Sequence, residues 1–412
     1  MSRSKLEFHF WAMAALGKGL SGGDRIFIEL ARRWSKKFPV TIYVWEEGFQ
    51  MLKRQHLGIT NYQLPITNYK KGKLKIRVLR IGGWSRLGFV ICYFLRIVRA
   101  VLESFKLKLS NKPTTVVYSA SHFWMDSLPA LVLKLRFPKI TWAAAWYQTA
   151  PSPLRGFAEG RRGERHRLRA FLYWLSQIPI KPLVKRYADF VLVNNEEERK
   201  QFPALDKKGR TIVVLGAVPL LEIENWKLKI GNLPKVHDAV FQGRFHPQKG
   251  VVELIDIWKK VVEKKPEAKL AMIGDGPLMK NVKSKIKNQK LERNVELFGY
   301  VFDGPKKYKI FSQSKIVVHP AFYDSGGMAS AEAMAFGLPC VGFNLKAYES
   351  YYPQGMVKVR TGDLQAFADE VIRLLEDQDD REKIGKEALD MIEKNYSWDK
   401  RAGEALERIS NN

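Results

Sequence analysis

Between Tyr323 and Gly337 the chain reads YDSGGMASAEAMAFG. Two carboxylates, Asp324 and Glu332, stand eight residues apart around Gly326, Gly327 and the start of an alanine-rich, helix-like run. The free N–H groups of a helix start attract anions, phosphate above all. Acids placed on either side of such a start would have to serve other groups, such as hydroxyls. Glycines allow close backbone approach, and a helix beginning near Gly327 or Met328 would put Glu332 about one turn in. On spacing alone, Asp324 reads equally well as a helix cap and Glu332 as a solvated helix residue.

Two further segments have the same form of strand end, glycine turn and helix start. GRFHPQKG, Gly243 to Gly250, supplies Arg244 and Lys249. A guanidinium fork and an ammonium point charge suit a diphosphate, although ordinary surface charges would read the same way. GDGP, with Gly274 and Gly276, ends in Pro277, a residue suited to the first helical position. Among the histidines, His122 follows a strand in SASHFW, and His319 stands directly before Pro320. His9, His56, His166, His237 and His246 form no metal-ligand spacing.

These residues need a scaffold, and the chain alternates strands with helices throughout. LEFHFWAM, VTIYVW, TTVVYSAS, ITWAAAWYQT, ADFVLVNN and TIVVLG read as buried strands of a first half. DRIFIELARRWSKKF puts Ile26, Leu30 and Trp34 on one helical face. HDAVFQGRF, AKLAMIGDG, NVELFGYV, KIVVHPAF and LPCVGFN read as strands of a second half, with helices from there to the end. The expected class is α/β, two doubly wound parallel-sheet units. The 412 residues, 46% apolar, suffice for two cores. The expected boundaries are residues 1–216, a linker at 217–236 marked by prolines, a glycine and mixed charge, a second domain at 237–395, and a final helix at 396–412.

The second half resembles the donor domain of family-four retaining glycosyltransferases, through GRFHPQKG, IGDGP, LFGYV and YDSGGMASAEAMAFGLPCVGF. The likeness covers most of residues 236–400; GLSGGDR (Gly19 to Arg25) and ADFVLVNNEEERKQF carry a weaker one in the first half. It implies the GT-B fold, two Rossmann-like domains facing a cleft, with a last helix beginning at YSW that crosses back to the first domain. It further implies that the first domain binds the acceptor and the second a nucleotide-sugar donor. Arg244, Lys249 and the backbone of Gly327, Met328 and Ala329 would hold the donor diphosphate in place of a metal, so no cofactor and no Mg²⁺ are expected. Glu332 would hold the ribose and Asp324 the donor sugar. The base would lie near Gly274, Gly276 and the Phe298–Tyr300 strand end, and Gly243 of GRFHPQKG and Gly22 and Gly23 of the first domain's glycine loop count among the donor-binding residues. His122 would contact the donor sugar or orient the acceptor, although a histidine satisfied near the domain core would read the same way, and His319 would give structural support. Two positions depart from the family: Asp324 stands where Glu is usual, and Gly326 where an aromatic residue is common.

The net charge of +28 points to an anionic partner, a nucleic acid, a membrane surface or a phosphorylated substrate, although a solvated basic surface would read the same way. The richest basic stretch, Arg155 to Arg186, interleaves arginines with FLYWL and suits an interfacial helix on an anionic membrane; Arg86 to Leu109 has a similar character. No nucleic-acid module is legible. Cys92 and Cys340 lie in apolar runs and build neither a disulfide framework nor a metal site. The most apolar segment, Leu87 to Leu102, is interrupted by Arg96 and Arg99 and is too short to span a bilayer. MSRSKLEFHFWAM lacks a signal-peptide layout, so a cytoplasmic enzyme at the inner face of the membrane is expected. It would transfer a sugar to a glycan or lipid-linked acceptor in cell-envelope synthesis. The rival readings are a sugar-nucleotide epimerase, a non-catalytic sugar-nucleotide or glycan binder, and a basic adaptor.

Overall fold

The computed structural model describes residues 6–15, 21–55, 68–80, 82–150, 152–154, 157–159, 164–324 and 328–411. The chain divides into two compact units: residues 1–153, 168–216 and 398–412 form the first, residues 154–167 and 217–397 the second.

In chain order the strands are β1 (Glu7–Trp11), β2 (Val40–Trp45), β3 (Asn68–Lys71), β4 (Leu74–Leu79), β5 (Thr115–Ser119), β6 (Thr141–Ala145), β7 (Phe157–Glu159), β8 (Glu164–His166), β9 (Phe190–Val193), β10 (Thr211–Val213), β11 (His237–Gln242), β12 (Leu270–Ile273), β13 (Val295–Gly299), β14 (Ser314–His319), β15 (Cys340–Phe343) and β16 (Met356–Val359). The first sheet has the order β10-β9-β6-β5-β1-β2-β4-β3, parallel except for β3. The second is fully parallel, in the order β13-β12-β11-β14-β15-β16. Both have the doubly wound layout, reversing between β1 and β5 in the first unit and between β11 and β14 in the second. Loops at the carboxyl ends of those strand pairs border the crevice where such sheets take ligands.

Burial explains the strands. Phe8, Phe10 and Trp11 of β1 are all buried, and Trp11 stacks on Tyr43 with ring centroids 4.5 Å apart. The helix Gly22–Trp34 starts at Ser21, which forms a reciprocal capping box with Asp24, and it buries the predicted face of Ile26, Leu30 and Trp34. Trp34 Nε1 then donates to the carbonyl of Ala402 at 2.9 Å, and Arg33 pairs with Asp399 at 3.0 Å. The helix Trp398–Ser410 thus packs within the first unit.

Several expectations need correcting. The segment read as a linker holds the helix Leu220–Ile230. Its proline and glycine are the start and stop of that helix: Pro219 precedes it, and Gly231, at φ 68°, ends it. The end of the chain is not all helical, because β16 completes the second sheet. Neither β3 nor β4 stood out, since lysine and arginine alternate with the buried Leu74, Ile76 and Val78. The basic stretch Arg155–Arg186 is not one interfacial helix. It divides into the β7–β8 hairpin and the helices Arg167–Gln177 and Ile180–Tyr187.

Candidate active site

In the second unit the loops after β11, β12 and β14 lock together. Gly250, at φ +62°, lies so close to the next loop that a Cβ would stand 2.0 Å from the Pro320 carbonyl oxygen. A Cβ on Gly274 would stand 1.8 Å from the Gly243 oxygen, and one on Gly276 2.5 Å from the Phe245 oxygen. Gly243 itself rests against the Phe241 ring. The amides of Phe322 and Tyr323 both donate to the Gln248 carbonyl, at 2.9 and 3.3 Å. Loop crossing alone therefore demands glycine at 250, 274 and 276.

This crossing brings Lys249 to Asp324. Three donors converge on Asp324 Oδ2: Lys249 Nζ at 2.6 Å, His319 Nε2 at 2.9 Å and the Tyr348 hydroxyl at 3.2 Å. The Asp324 side chain is 9% exposed. Burial by itself would raise its pKa, but the Lys249 charge and the His319 bond outweigh that and hold the carboxyl well below its usual range. His319 is shifted the other way: burial lowers its pKa, only partly countered by Asp324. A neutral imidazole facing an ionised carboxylate must carry its proton on Nε2. Asp324 is therefore the centre of a charged network, with His319 as one of its supports.

Glu332 lies in the helix Met328–Met334 and is 3% exposed, so it is not a solvated helix residue. Its Oε2 accepts from Lys307 Nζ at 2.6 Å and from Gln242 Nε2 at 3.0 Å. Lys307, 2% exposed, also bonds Asp303, and Gln242 Oε1 is buried with no partner among the described residues. A buried acceptor without a partner beside a fixed carboxylate is suited to a ligand hydroxyl.

Arg244 is exposed on the loop after β11, with no acidic partner among the described residues. Met328 and Ala329 open the helix that carries Glu332. Tyr300 is exposed after β13, edge-on to Phe302 at 4.9 Å. Gly326 and Gly327 lie outside the described residues. Lys307, Gln242 and Tyr348 were not anticipated. One signal was present for Lys307: it follows Asp303 by four residues, a spacing that joins them across a helix start.

In the first unit, Gly22 and Gly23 are the first residues of the helix after Ser21. A Cβ on Gly23 would stand 2.9 Å from the Tyr147 ring, whereas Gly22 has open space. His122 is buried against Phe123, Trp146 and Tyr173, and its Nε2 meets the Tyr173 hydroxyl at 2.9 Å. Burial lowers its pKa to about 4. That environment is the one expected of a satisfied core histidine. Nearby, the buried Asp126 accepts from the Ala14 amide at 3.0 Å and from the Ser121 hydroxyl, joining the loops after β1 and β5. Burial pushes its pKa up to about 7, against the opposing effect of those bonds. No group of three metal-ligating side chains occurs among the described residues.

Residues 222–391 match the family model described as glycosyl transferases group 1. The chain is 26% identical over 168 residues to a poly(glycerol-phosphate) alpha-glucosyltransferase of Bacillus subtilis, a match covering 40% of this chain and 24% of that protein. It is 29% identical over 172 residues to a phosphatidyl-myo-inositol mannosyltransferase of Mycobacterium tuberculosis, covering 39% and 43%. The matches thus span less than half the length of either relative. Over its whole length the chain is similar to the structure of Anabaena HepE in complex with UDP and glucose, with a TM-score of 0.67 and 14% identity, covering 99% of this chain and 100% of that one. The two Rossmann-like units make the fold GT-B.

Proposed function

We propose that the chain is a retaining glycosyltransferase. It would move a sugar from a nucleotide-diphosphate donor to a hydroxyl of a glycan or lipid-linked acceptor, in cell-envelope polysaccharide or glycolipid synthesis. The observation that carries this reading is the cluster at the strand-order reversal of the second sheet. Arg244 and Lys249 follow β11, Asp324 follows β14, and Glu332 lies on the next helix.

The donor diphosphate leaves as the glycosidic bond breaks, and its negative charge is met by the exposed Arg244 and by Lys249. An ammonium has three N–H donors; Lys249 gives one to Asp324 and keeps others for phosphate oxygens. Positive groups fixed in advance at a developing anion lower the barrier without reorganisation. Asp324, kept ionised, accepts hydroxyl protons of the donor sugar. Glu332 and Gln242 take the ribose hydroxyls. The acceptor hydroxyl attacks on the face from which the diphosphate departs: its oxygen bonds to the anomeric carbon as that carbon's bond to the diphosphate breaks, and its proton passes to the departing diphosphate oxygen. The acceptor classes in the names of the two relatives, a poly(glycerol phosphate) and a phosphatidylinositol, support an envelope or lipid acceptor. A basic membrane surface at Arg155–Arg186 is part of this reading, as is placement at the cytoplasmic face of the membrane.

Calorimetric titration with UDP, GDP and ADP tests the donor site. One nucleotide should bind, and Arg244→Ala should weaken it by about tenfold or more, the loss of one charge-assisted contact. A folded protein that binds none of the three would overturn the reading. Binding without turnover, given a matched donor and acceptor, would favour a non-catalytic binder.

A further inference from the structure

The helix Phe89–Lys106 of the first unit is apolar on two faces. Its inner face buries Cys92, Ile97 and Ala100, and Arg96 turns inward to Glu47 at 2.6 Å, over the Trp45 ring. The other face carries Val90, Phe94, Val98, Leu102 and Phe105, each more than half exposed. Steps of four and three residues place these five in one stripe along the helix. Leu87, on the preceding turn Gly82–Leu87, is exposed as well. A continuous exposed apolar stripe of this length is costly in water and marks a surface that something covers.

We infer that this stripe docks the protein on an anionic lipid surface, the helix lying in the plane of the membrane. Charge selects the occupant. Arg86, Arg99, Lys106 and Lys108 are exposed along the same segment, and the helix holds a single acid, Glu103, engaged by Lys106 at 3.4 Å. An apolar stripe edged by cations fits the boundary between acyl chains and anionic headgroups. A second copy would bring a chain of net charge +28 against another of the same sign. No helix among the described residues is long and apolar enough to cross a membrane, so the contact is one of lying on the surface. The inference deepens the lipid-linked acceptor proposed above, yet it stands on geometry independent of the nucleotide site.

Flotation with phosphatidylcholine vesicles, with and without phosphatidylglycerol, tests it. The wild-type protein should float only with the anionic vesicles, and less so as salt rises. Phe94→Asp combined with Val98→Asp changes two exposed positions and should cut vesicle binding about tenfold or more, with UDP titration and thermal midpoint unchanged. Val98→Cys carrying an environment-sensitive dye should shift to the blue on anionic vesicles; Cys92 and Cys340 are both buried and leave the label selective. The inference falls if the double variant floats like wild type, if the dye stays in water while the protein binds, or if wild type ignores anionic vesicles. It also falls if the double variant abolishes a dimer instead. Vesicle binding without nucleotide binding would leave this surface standing and remove the donor site.

Discussion

The two units share a strand layout and reverse their order at the same structural point, yet they fill that point with opposite chemistry. In the second, the loops beyond the reversal hold Lys249 against an ionised Asp324, and the neighbouring helices Pro305–Ser312 and Met328–Met334 hold Lys307 against Glu332. In the first, the described residues beyond β1 and β5 include neutral partners: His122 kept uncharged by burial, an Asp126 at the start of the next helix whose pKa burial lifts to about 7, and the surrounding Trp146 and Tyr173. A doubly wound sheet thus fixes where a site can be but not its polarity. Polarity follows from whether each buried acid is given a cation. An acid with one is held ionised. An acid given only hydroxyl and amide donors drifts toward neutrality.

The largest expected effect breaks the charged side of this contrast. Lys307→Met leaves Glu332 buried without its ammonium, a change that costs about 3–5 kcal/mol. Adding Glu332→Gln should recover much of the loss, because replacing both members of a buried pair is far milder than removing one. Urea denaturation of the two variants measures the difference. If Lys307→Met alone is neutral, Lys307 and Glu332 are not the coupled pair described here.

That pair also shows where the sequence could be read and where it could not. Arg244, Lys249, Asp324 and Glu332 each sit within a short strand–glycine–helix segment, so their types and positions were legible together. Lys307 and Gln242 meet Glu332 from 25 and 90 residues away, and no local pattern connects them. The strands that run apolar on both faces were legible, as β11 and β14 were. β4 was not, because its half-buried alternate residues, Lys75 and Arg77, are basic and mask the buried ones. Pro219 and Gly231 were read as breakers of structure when they bound a helix. His122 turned on contacts with Trp146 and Tyr173, 24 and 51 residues on, which a sequence does not display.

The neutral side can be sharpened through pH. Asp126 binds a proton in the folded state up to about pH 7, whereas an unfolded aspartate loses it near 4. Between those values the folded protein holds more protons, so this residue makes stability fall as pH rises, by about 1.4 kcal/mol per pH unit at most. His122 acts in the opposite sense between about 4 and 6.5, where the unfolded state holds the extra proton. Asp126→Asn keeps an acceptor for the Ala14 amide and removes the titration. Its stability relative to wild type should rise from pH 4 to pH 7 and then level off. A constant difference across that range would show that Asp126 is ionised throughout, and that the first crevice is charged after all.

The smallest expected effect concerns His122 itself. Its Nε2 meets the Tyr173 hydroxyl at 2.9 Å in a ring-lined pocket. Tyr173→Phe removes that partner and leaves a buried ring nitrogen to be satisfied, at a cost of about 1–2 kcal/mol. The two readings of His122 separate in what else changes. A core histidine that only packs should lose stability while the KM for both donor and acceptor stays put. A histidine that orients a substrate should show a raised KM or a lowered kcat at a temperature where the variant is fully folded. Its burial against Phe123 and Trp146, with a pKa near 4, favours the first outcome. A kinetic defect larger than the stability loss explains would move His122 from the core of the first unit into the reaction.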